Sequence, residues 1–333
     1  MLSSLKFVLF ITIFISTVHA RKWTVHTIPG AKCGAGAPYK IWIEQKSTKK
    51  LAIEFMGGGA CWSASTCYGP TLRTWIFPIP SLPIMSMFSS KKSPAKDHSY
   101  LYLPYCTGDA HMGRHTAKYL RGKIKVHHQG FRNIEKTFEY LHKNNLIQFS
   151  EVEDLLVYGA SAGAIGALVH SKTYSPYFLP NTKKTMIADA PGLHFSAEKF
   201  WSQFTPELIQ DYSKGMTILG MDQSEGGYIS RFIPKMCDQL KNWNIGILQG
   251  SKDVITSYLF GKISPKEHEL LVYGKEGVWQ MSQLTENCSA WVPSTYHHTF
   301  LIFPTSYNME IDNKSAMGFA TDIANGLKNQ YYR

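Results

Sequence analysis

Residues 155–166 read Leu-Leu-Val-Tyr-Gly-Ala-Ser-Ala-Gly-Ala-Ile-Gly. The first four are rich in apolar and β-forming side chains and predict a strand, whereas the small residues from Ala164 to His170 have helical character. Between the two lies a Gly-x-Ser-x-Gly pattern. Glycines on both sides of Ser161 allow the sharp strand-to-helix turn of a nucleophile elbow, in which the serine hydroxyl projects from the end of the strand. The pattern therefore predicts that Ser161 is a nucleophile.

A serine at such a turn also lies at the N-terminus of the helix that follows. The backbone N–H of Ala162 then points to the place where the oxyanion of a tetrahedral intermediate forms, and the helix dipole favours negative charge there. The competing interpretation is that the small residues only let a helix pack closely against a strand. The order of strand, turn and helix around the pattern favours the nucleophile.

A glycine-rich turn precedes the elbow by about a hundred residues. Leu51–Met56 is predicted to be a strand, and it runs directly into Gly57-Gly58-Gly59-Ala60-Cys61-Trp62. Successive glycines after a strand can present backbone N–H groups with no side chain in the way, as in the oxyanion holes of lipases and esterases. A flexible loop is the alternative, but the glycine-rich turn and the elbow together match the two halves of one oxyanion hole.

A serine hydroxyl is a poor nucleophile at neutral pH, so it needs a histidine base that a carboxylate orients. His297 and His298 lie in a late loop, where the base is expected in the chain order Ser, Asp, His of α/β-hydrolases. Adjacent side chains of an extended chain face opposite ways, so only one of the two can reach the serine. We favour His298 as the base, with His297 as the alternative.

Two aspartates that follow predicted strands are candidates for the orienting acid. Asp253 comes after the strand Ile245–Leu248 and lies between the serine and the histidines in the chain. Asp189 ends the strand Lys184–Ala190 and comes early for this role. The expected chain order favours Asp253, with Asp189 as the alternative. The competing interpretation for both is a loop or capping role, which is more common for an aspartate beside a glycine.

Predicted strands alternate with predicted helices along the chain. This alternation implies an α/β fold with a mainly parallel central sheet and helices on both faces. The further predicted strands are Trp23–Ile28, Tyr39–Gln45 and Ser99–Tyr105, and the further predicted helices are Gln129–Asn144 and Ser315–Gln330.

The first twenty residues have the pattern of a secretory signal peptide. Lys6 supplies the positive charge, Phe7–Ile15 is an apolar or β-branched run, and Val18-His19-Ala20 fits a cleavage site. The apolar run is too short to span a bilayer of ~30 Å, so we expect no stable membrane insertion. We expect a secreted or periplasmic protein whose exported part, residues 21–333, forms one domain.

All six cysteines lie after the predicted signal peptide, and an even number in an exported chain favours three disulfides. They are Cys33, Cys61, Cys67, Cys106, Cys237 and Cys288.

The formal net charge is +11, but the lysines and arginines are scattered along the chain. This distribution argues against nucleic acid as a partner and is more typical of attraction to an anionic polysaccharide or lipid surface. Solvated lysines on an ordinary surface are the simpler interpretation.

Asp109, His111 and His115 follow a predicted strand and are chemically able to bind a metal. No fourth ligand is obvious, and a polar loop at the end of a strand explains these residues equally well. The serine mechanism requires neither a metal nor another cofactor, and we expect none.

With these pieces assembled, the sequence resembles the pectin acetylesterase family. The resemblance runs through most of the chain after the signal peptide and follows the order of the motifs. It is carried by residues 33–39 (Cys-Gly-Ala-Gly-Ala-Pro-Tyr), 57–62, 104–106 (Pro-Tyr-Cys), 159–163 and 188–190 (Ala-Asp-Ala), and by Asp253 and His298.

The resemblance implies an α/β-hydrolase fold and a carboxylic-ester hydrolase with Ser161, His298 and Asp253 as its triad. It also implies that the amides of Gly58, Gly59 and Ala162 form the oxyanion hole. The implied disulfides are Cys33–Cys106 and Cys61–Cys67, which leaves Cys237 to pair with Cys288.

The predicted function is thus an exported serine esterase. Its substrate is an acyl ester of a polysaccharide, a lipid or a protein, with an acetylated polysaccharide as one example. The alternatives are a fatty-acyl esterase and a binding protein for carbohydrate or lipid that has kept the fold without turnover.

Overall fold

The computed structural model describes residues 23–69, 74, 76, 90–192, 202–221 and 229–333. The predicted signal peptide, residues 1–20, lies outside these ranges. Thirteen strands are described: β1 (Trp23–Lys32), β2 (Pro38–Glu44), β3 (Lys50–Phe55), β4 (Ser99–Leu103), β5 (His115–Tyr119), β6 (Ile124–His128), β7 (Asp154–Ala160), β8 (Lys183–Asp189), β9 (Trp243–Leu248), β10 (Cys288–Trp291), β11 (Glu310–Ile311), β12 (Lys314–Ser315) and β13 (Tyr331–Tyr332).

The described α-helices are α1 (Ala64–Tyr68), α2 (Gly130–Lys143), α3 (Ala162–Val169), α4 (Ser171–Tyr174), α5 (Pro206–Thr217), α6 (Ile233–Gln239), α7 (Pro265–Tyr273), α8 (Val278–Gln283), α9 (Pro304–Tyr307) and α10 (Ala316–Ala324). A π-helical segment spans Ile255–Gly261, and short 3-10 turns lie at Phe149–Glu151, Ser175–Tyr177 and Ile229–Phe232. Among the helices described, none combines the length and the apolar character needed to cross a bilayer.

Nine of the described strands form one sheet in the order β1-β2-β4-β3-β7-β8-β9-β10-β13. The pairs from β4 to β13 are parallel, while β1 pairs with β2 and β2 pairs with β4 in antiparallel fashion. The predicted mainly parallel α/β sheet is therefore confirmed, with an antiparallel addition at one edge. This topology matters for function because the carboxyl ends of parallel strands meet at one edge of the sheet.

The register at that edge brings several predicted site residues together. Phe55 of β3 is opposite Gly159 of β7, and Gly159 is opposite Ala188 of β8. Asp189 is in turn opposite Leu248 at the end of β9. The glycine-rich turn, the elbow and the loop before Asp253 consequently leave the sheet side by side.

The apolar side chains of β7 fill the core on both faces of the sheet. Leu155 and Val157 belong to a cluster that includes the apolar face of α2, whereas Leu156 and Tyr158 pack in a second cluster with side chains of α10. Burial on both sides explains why the strand reads as a nearly continuous apolar run, with no polar alternation.

The C-terminal helix is shorter than predicted. Ser315–Gln330 was expected to be helical throughout, but α10 ends at Ala324. Gly326 then adopts a φ of +95°, which a helix cannot accommodate, and the chain turns back to add β13 beside β10. The glycine near the end of the apolar pattern marks this stop.

Three disulfides join the described cysteines. Cys33–Cys106 ties the turn after β1 to the segment after β4, and Cys61–Cys67 closes the short loop that follows the glycine-rich turn. Cys237–Cys288 connects α6 with β10. These are the pairs that the resemblance implied.

Candidate active site

Ser161 lies at the turn between β7 and α3. Its φ of 56° and ψ of −124° belong to a region that non-glycine residues rarely adopt, and its N–H donates to the carbonyl oxygen of Asp189 at 2.7 Å. The helix packs so closely that a Cβ on Gly163 would lie 2.0 Å from the carbonyl oxygen of Phe55. The second glycine of the pattern is thus required by this close approach of helix and strand.

The structure brings three predicted side chains into a chain of two hydrogen bonds. Ser161 Oγ lies 2.7 Å from His298 Nε2, and His298 Nδ1 lies 2.6 Å from Asp253 Oδ2. With the proton on Nδ1, His298 donates to the carboxylate and accepts from the serine hydroxyl. This arrangement allows the imidazole to take the proton of Ser161 as the hydroxyl attacks a carbonyl carbon.

The neighbouring His297 is placed differently. Its Nδ1 lies 3.0 Å from the hydroxyl of Thr295, and its side chain is exposed. Of the two histidines that the sequence left open, His298 is the one that reaches Ser161.

Asp253 is buried, and several groups donate hydrogen bonds to its carboxylate. Its Oδ1 accepts the N–H of Ile255 at 2.9 Å, and its Oδ2 accepts the hydroxyl of Thr256 at 2.7 Å. Burial alone would raise the pKa of this carboxyl, but the charge of His298 and the hydrogen bonds from His298 and Thr256 outweigh burial and hold the pKa below its ordinary value. The carboxylate therefore stays ionised and can stabilise an imidazolium.

Asp189, the alternative acid, contacts the backbone that follows the base. Its carboxylate accepts the N–H groups of Phe300 at 2.9 Å and of Leu301 at 2.8 Å, and Tyr158 donates its hydroxyl at 3.2 Å. Thr299, between the base and these amides, has a φ of 67°. Asp189 thus stabilises the loop that carries His298 through hydrogen bonds to its backbone, whereas Asp253 is hydrogen-bonded to the imidazole itself.

We predict that Asp189→Asn will lower kcat roughly tenfold to a hundredfold, because an amide nitrogen facing backbone N–H donors displaces the loop of His298.

Burial raises the pKa of Asp189 to about 6, and the hydrogen bonds from the N–H groups of Leu301 and Phe300 offset this rise only in part. A carboxyl whose pKa is raised in the folded chain makes its full contribution to the free energy of unfolding below about pH 4. That contribution, about 3 kcal/mol, is lost as the pH rises through 6.

The free energy of unfolding, measured by denaturant titration from pH 4 to pH 7, should therefore fall less steeply with pH in Asp189→Asn than in the parent protein. The exposed Asp238, replaced by asparagine, is the matched control and should keep the parent slope. An unchanged slope in Asp189→Asn would show that this carboxyl does not titrate in that range.

The glycine-rich turn lies beside Ser161. Gly57, Gly58 and Gly59 line a cavity together with Ser161 and His298. A Cβ on Gly57 would lie 2.1 Å from the carbonyl oxygen of Ala160, so the turn passes directly over the end of the elbow strand. The N–H of Ala162, in the first turn of α3, has no acceptor within its own helix. Gly58, Gly59 and Ala162, whose amides are the predicted oxyanion donors, all line cavities that reach Ser161.

Two buried side chains, one of them a possible metal ligand in the sequence analysis, bond to the backbone of this turn. The hydroxyl of Tyr105 donates to the carbonyl oxygen of Gly59 at 2.7 Å and accepts the N–H of Ala110 at 2.7 Å. His111 Nε2 lies 2.9 Å from the carbonyl oxygen of Met56. Both residues come from the stretch after β4, and only the fold reveals that this stretch packs under the turn.

Asp109 and His115, two of the possible metal ligands, form hydrogen bonds with different partners. Asp109 accepts the hydroxyl of Thr107 at 2.7 Å and the N–H of Gly130 at 2.7 Å, so it caps the start of α2. His115 Nδ1 instead lies 2.6 Å from Oδ2 of Asp211.

Within the described ranges, the group of ligand-type side chains with metal-like spacing is Cys61, Cys67 and His128. The two sulfur atoms of that group are joined in a disulfide, so they are not available as thiolate ligands.

A cavity of about 70 Å³ reaches Ser161 and His298. None of the described residues that line it is an aspartate, a glutamate, a lysine or an arginine, and much of its wall consists of buried apolar side chains. They include Ala110, Met112, Tyr212, Met216 and Ile229. Such a cavity suits an apolar group attached to a carbonyl carbon at Ser161.

Comparison with known proteins identifies the fold and the family of the chain. Among solved structures, the chain is similar to the Wnt deacylase Notum from Drosophila, with a TM-score of 0.59 and 13% sequence identity over 93% of this chain and 96% of that one. This likeness concerns the fold. A comparison with curated protein sequences finds no match. The family model described as Pectinacetylesterase matches residues 17–237, which is more than half of the chain. The chain therefore belongs to the pectinacetylesterase family and is a carboxylic-ester hydrolase.

Proposed function

We propose that this protein is an exported serine esterase in which Ser161 is the nucleophile, His298 the base and Asp253 the orienting acid. The observation that carries the proposal is the chain of hydrogen bonds from Ser161 Oγ through His298 to Asp253, at 2.7 and 2.6 Å. Ser161 attacks the acyl carbonyl as His298 takes its proton, and the same proton then goes to the departing alcohol. Water activated by His298 releases the acid from the acyl-enzyme in the second half of the reaction.

The oxyanion of each tetrahedral intermediate is stabilised by the backbone N–H groups of Gly58, Gly59 and Ala162. Amides held rigidly in this way need no reorganisation during the reaction, which is why they lower the barrier more than water does. The support for this role is the position of the turn over the elbow strand and the hydrogen bond that Tyr105 makes to Gly59.

The acyl group enters the cavity of about 70 Å³ that reaches Ser161 and His298. A volume of about 70 Å³ has room for roughly five or six water-sized groups, so the cavity suits a short acyl chain of about two to six carbon atoms. The deacylase named among the solved structures supports the removal of an acyl group as the reaction. An acetyl ester agrees with both the family and the cavity.

We further propose that residues 21–333 form one domain that acts after export. The support for export is the signal-like sequence of residues 1–20 and the three disulfides, which are typical of oxidising compartments.

A series of 4-nitrophenyl esters from acetyl to palmitoyl tests the proposed reaction. We expect kcat/KM to be highest for acyl chains of two to six carbons and to fall roughly tenfold or more beyond them, because longer chains exceed the volume of this cavity. A chelator such as EDTA should leave all rates unchanged. Loss of activity with EDTA would contradict the serine mechanism, and a maximum at palmitoyl would contradict the short acyl chain alone.

A further inference from the structure

Gln249 carries a fully buried amide directly after β9, four residues before Asp253. Its backbone N–H donates to the carbonyl oxygen of Trp291, at the end of β10, at 3.1 Å, so the residue is attached to the central sheet. Glutamine is mostly exposed in proteins, because burial of an amide costs free energy unless its polar atoms find partners. The partners of this side chain therefore indicate its role.

The amide of Gln249 has partners on both of its polar atoms. Its Nε2 donates to Oδ2 of Asp253 at 3.2 Å and to the carbonyl oxygen of Gly250 at 3.2 Å. Its Oε1 accepts the N–H of Gly192 at 3.2 Å. Two acceptors face the nitrogen and a donor faces the oxygen, so these contacts also fix which way round the amide lies.

The oxygen that Gln249 contacts is the one that holds the base, since Oδ2 of Asp253 also lies 2.6 Å from Nδ1 of His298. The other printed donors to this carboxylate come from Ile255 and Thr256, which follow Asp253 directly in the chain and move with it. Gln249 instead is attached to the sheet. Its hydrogen bond therefore fixes the carboxylate relative to the sheet edge from which the nucleophile projects.

The other end of the amide reaches the wall of the cavity at Ser161. Gly192, whose N–H the amide accepts, lines the cavity of about 70 Å³ together with Ala190 and Pro191. The same segment is bonded to the end of β9, because the N–H of Ala190 donates to the carbonyl oxygen of Leu248 at 2.7 Å. One buried side chain thus connects the orienting carboxylate with a wall of this cavity.

We propose that Gln249 is a positioning residue for the ester hydrolysis, which acts through Asp253. Its N–H holds Oδ2 of Asp253 towards His298, and the contact with Gly192 keeps the amide in the orientation that this requires. The proposal rests on the proposed function, since it needs Asp253 as the acid that orients the base. The rate is sensitive to such a contact because small displacements of a base reduce the fraction of reactive geometries.

Gln249→Met tests this role, because methionine has a similar length and no strong hydrogen-bonding group. We expect kcat for 4-nitrophenyl acetate to fall roughly tenfold to a hundredfold in the parent protein. In an Asp253→Asn background the same change should lower kcat by less than about threefold, because residues that act through one another are not additive. Equal factors in the two backgrounds, or an unchanged kcat in Gln249→Met, would overturn the proposal.

Asn244→Leu is the matched control, since it removes a buried amide near the other end of β9. The amide of Asn244 donates to the carbonyl oxygens of Ile323 at 2.7 Å and of Leu327 at 2.9 Å. Its loss should lower the thermal transition and leave kcat at the parent value. If Asn244→Leu lowered kcat as much as Gln249→Met does, loss of a buried amide would explain both effects and the positioning role would be wrong.

The thermal transition of each variant establishes that it is folded at the assay temperature. If Gln249→Met shows no transition, Gln249→Asn replaces it in the same comparison. Asparagine keeps a buried amide but is one carbon shorter, so it cannot reach Gly192 and Asp253 together. The same dependence on the Asp253→Asn background is expected, and equal factors again contradict the proposal.

Failure of this proposal is distinguishable from failure of the proposed function. If Ser161→Ala and Asp253→Asn lose activity while Gln249→Met lowers kcat equally in both backgrounds, the serine mechanism stands and the role of Gln249 is wrong. If Asp253→Asn keeps the parent kcat, the proposed triad itself fails.

Discussion

Replacement of Ser161 by alanine is expected to lower kcat by roughly four to six orders of magnitude, with 4-nitrophenyl acetate as substrate. The hydroxyl that would form the acyl-enzyme is absent in this variant, so only substrate binding and the oxyanion hole can assist direct attack by water. The fold should persist, since alanine keeps the Cβ and the backbone N–H that bonds to Asp189. A thermal transition close to that of the parent protein checks this point.

The exposed Ser150 offers a matched control for this variant. Ser150→Ala should retain the parent kcat and should still be labelled by a fluorophosphonate, whereas Ser161→Ala should lose both properties. If Ser161→Ala kept the parent rate, the nucleophile would have to be another residue, and the serine mechanism at this site would be refuted.

Asp253→Asn should reduce kcat by about three to four orders of magnitude with little change in KM. Two effects combine in this variant. The imidazolium that forms on His298 loses the negative charge that stabilises it, and the asparagine nitrogen can turn the ring into the wrong tautomer. Substrate binding is spared because Asp253 is buried behind the imidazole and, among the described residues, lines neither cavity.

The readout that separates this effect from a structural one is the split between kcat and KM, measured together with the free energy of unfolding. Asp238→Asn, at an exposed position on α6, should match the parent protein in both. A loss in Asp253→Asn no larger than that in Asp189→Asn would argue against Asp253 as the partner of His298. The larger loss is expected at Asp253 because it touches the base directly, while Asp189 acts through the loop.

Local sequence was sufficient to identify the elbow. Glycines flanking Ser161 and an apolar run before it are requirements of the turn itself, which involves only neighbouring residues. The parallel sheet was likewise predictable, because buried strands that alternate with helices have few other arrangements. The end of α10 was misjudged because the apolar pattern continued past Ala324, although Gly326 signals the stop.

The partners of Ser161 required the fold. The sequence favoured His298 but left His297 as an alternative, and the geometry that places His298 at Ser161 includes the bend at Thr299, which the bonds from Phe300 and Leu301 to Asp189 maintain. These bonds join positions about 110 residues apart in the chain, and no local pattern encodes them. The same holds for the support that Tyr105 gives to the glycine-rich turn.

The sequence by itself thus indicated the fold class, the family and the serine that we propose as nucleophile, since these depend on short-range sterics and on the burial pattern of single strands. Only the tertiary structure showed which histidine lies within hydrogen-bond distance of Ser161, which aspartate contacts that histidine, and where cavities lie beside Ser161. Those properties arise where the carboxyl ends of several strands meet, so they depend on distances between segments that are remote in the chain.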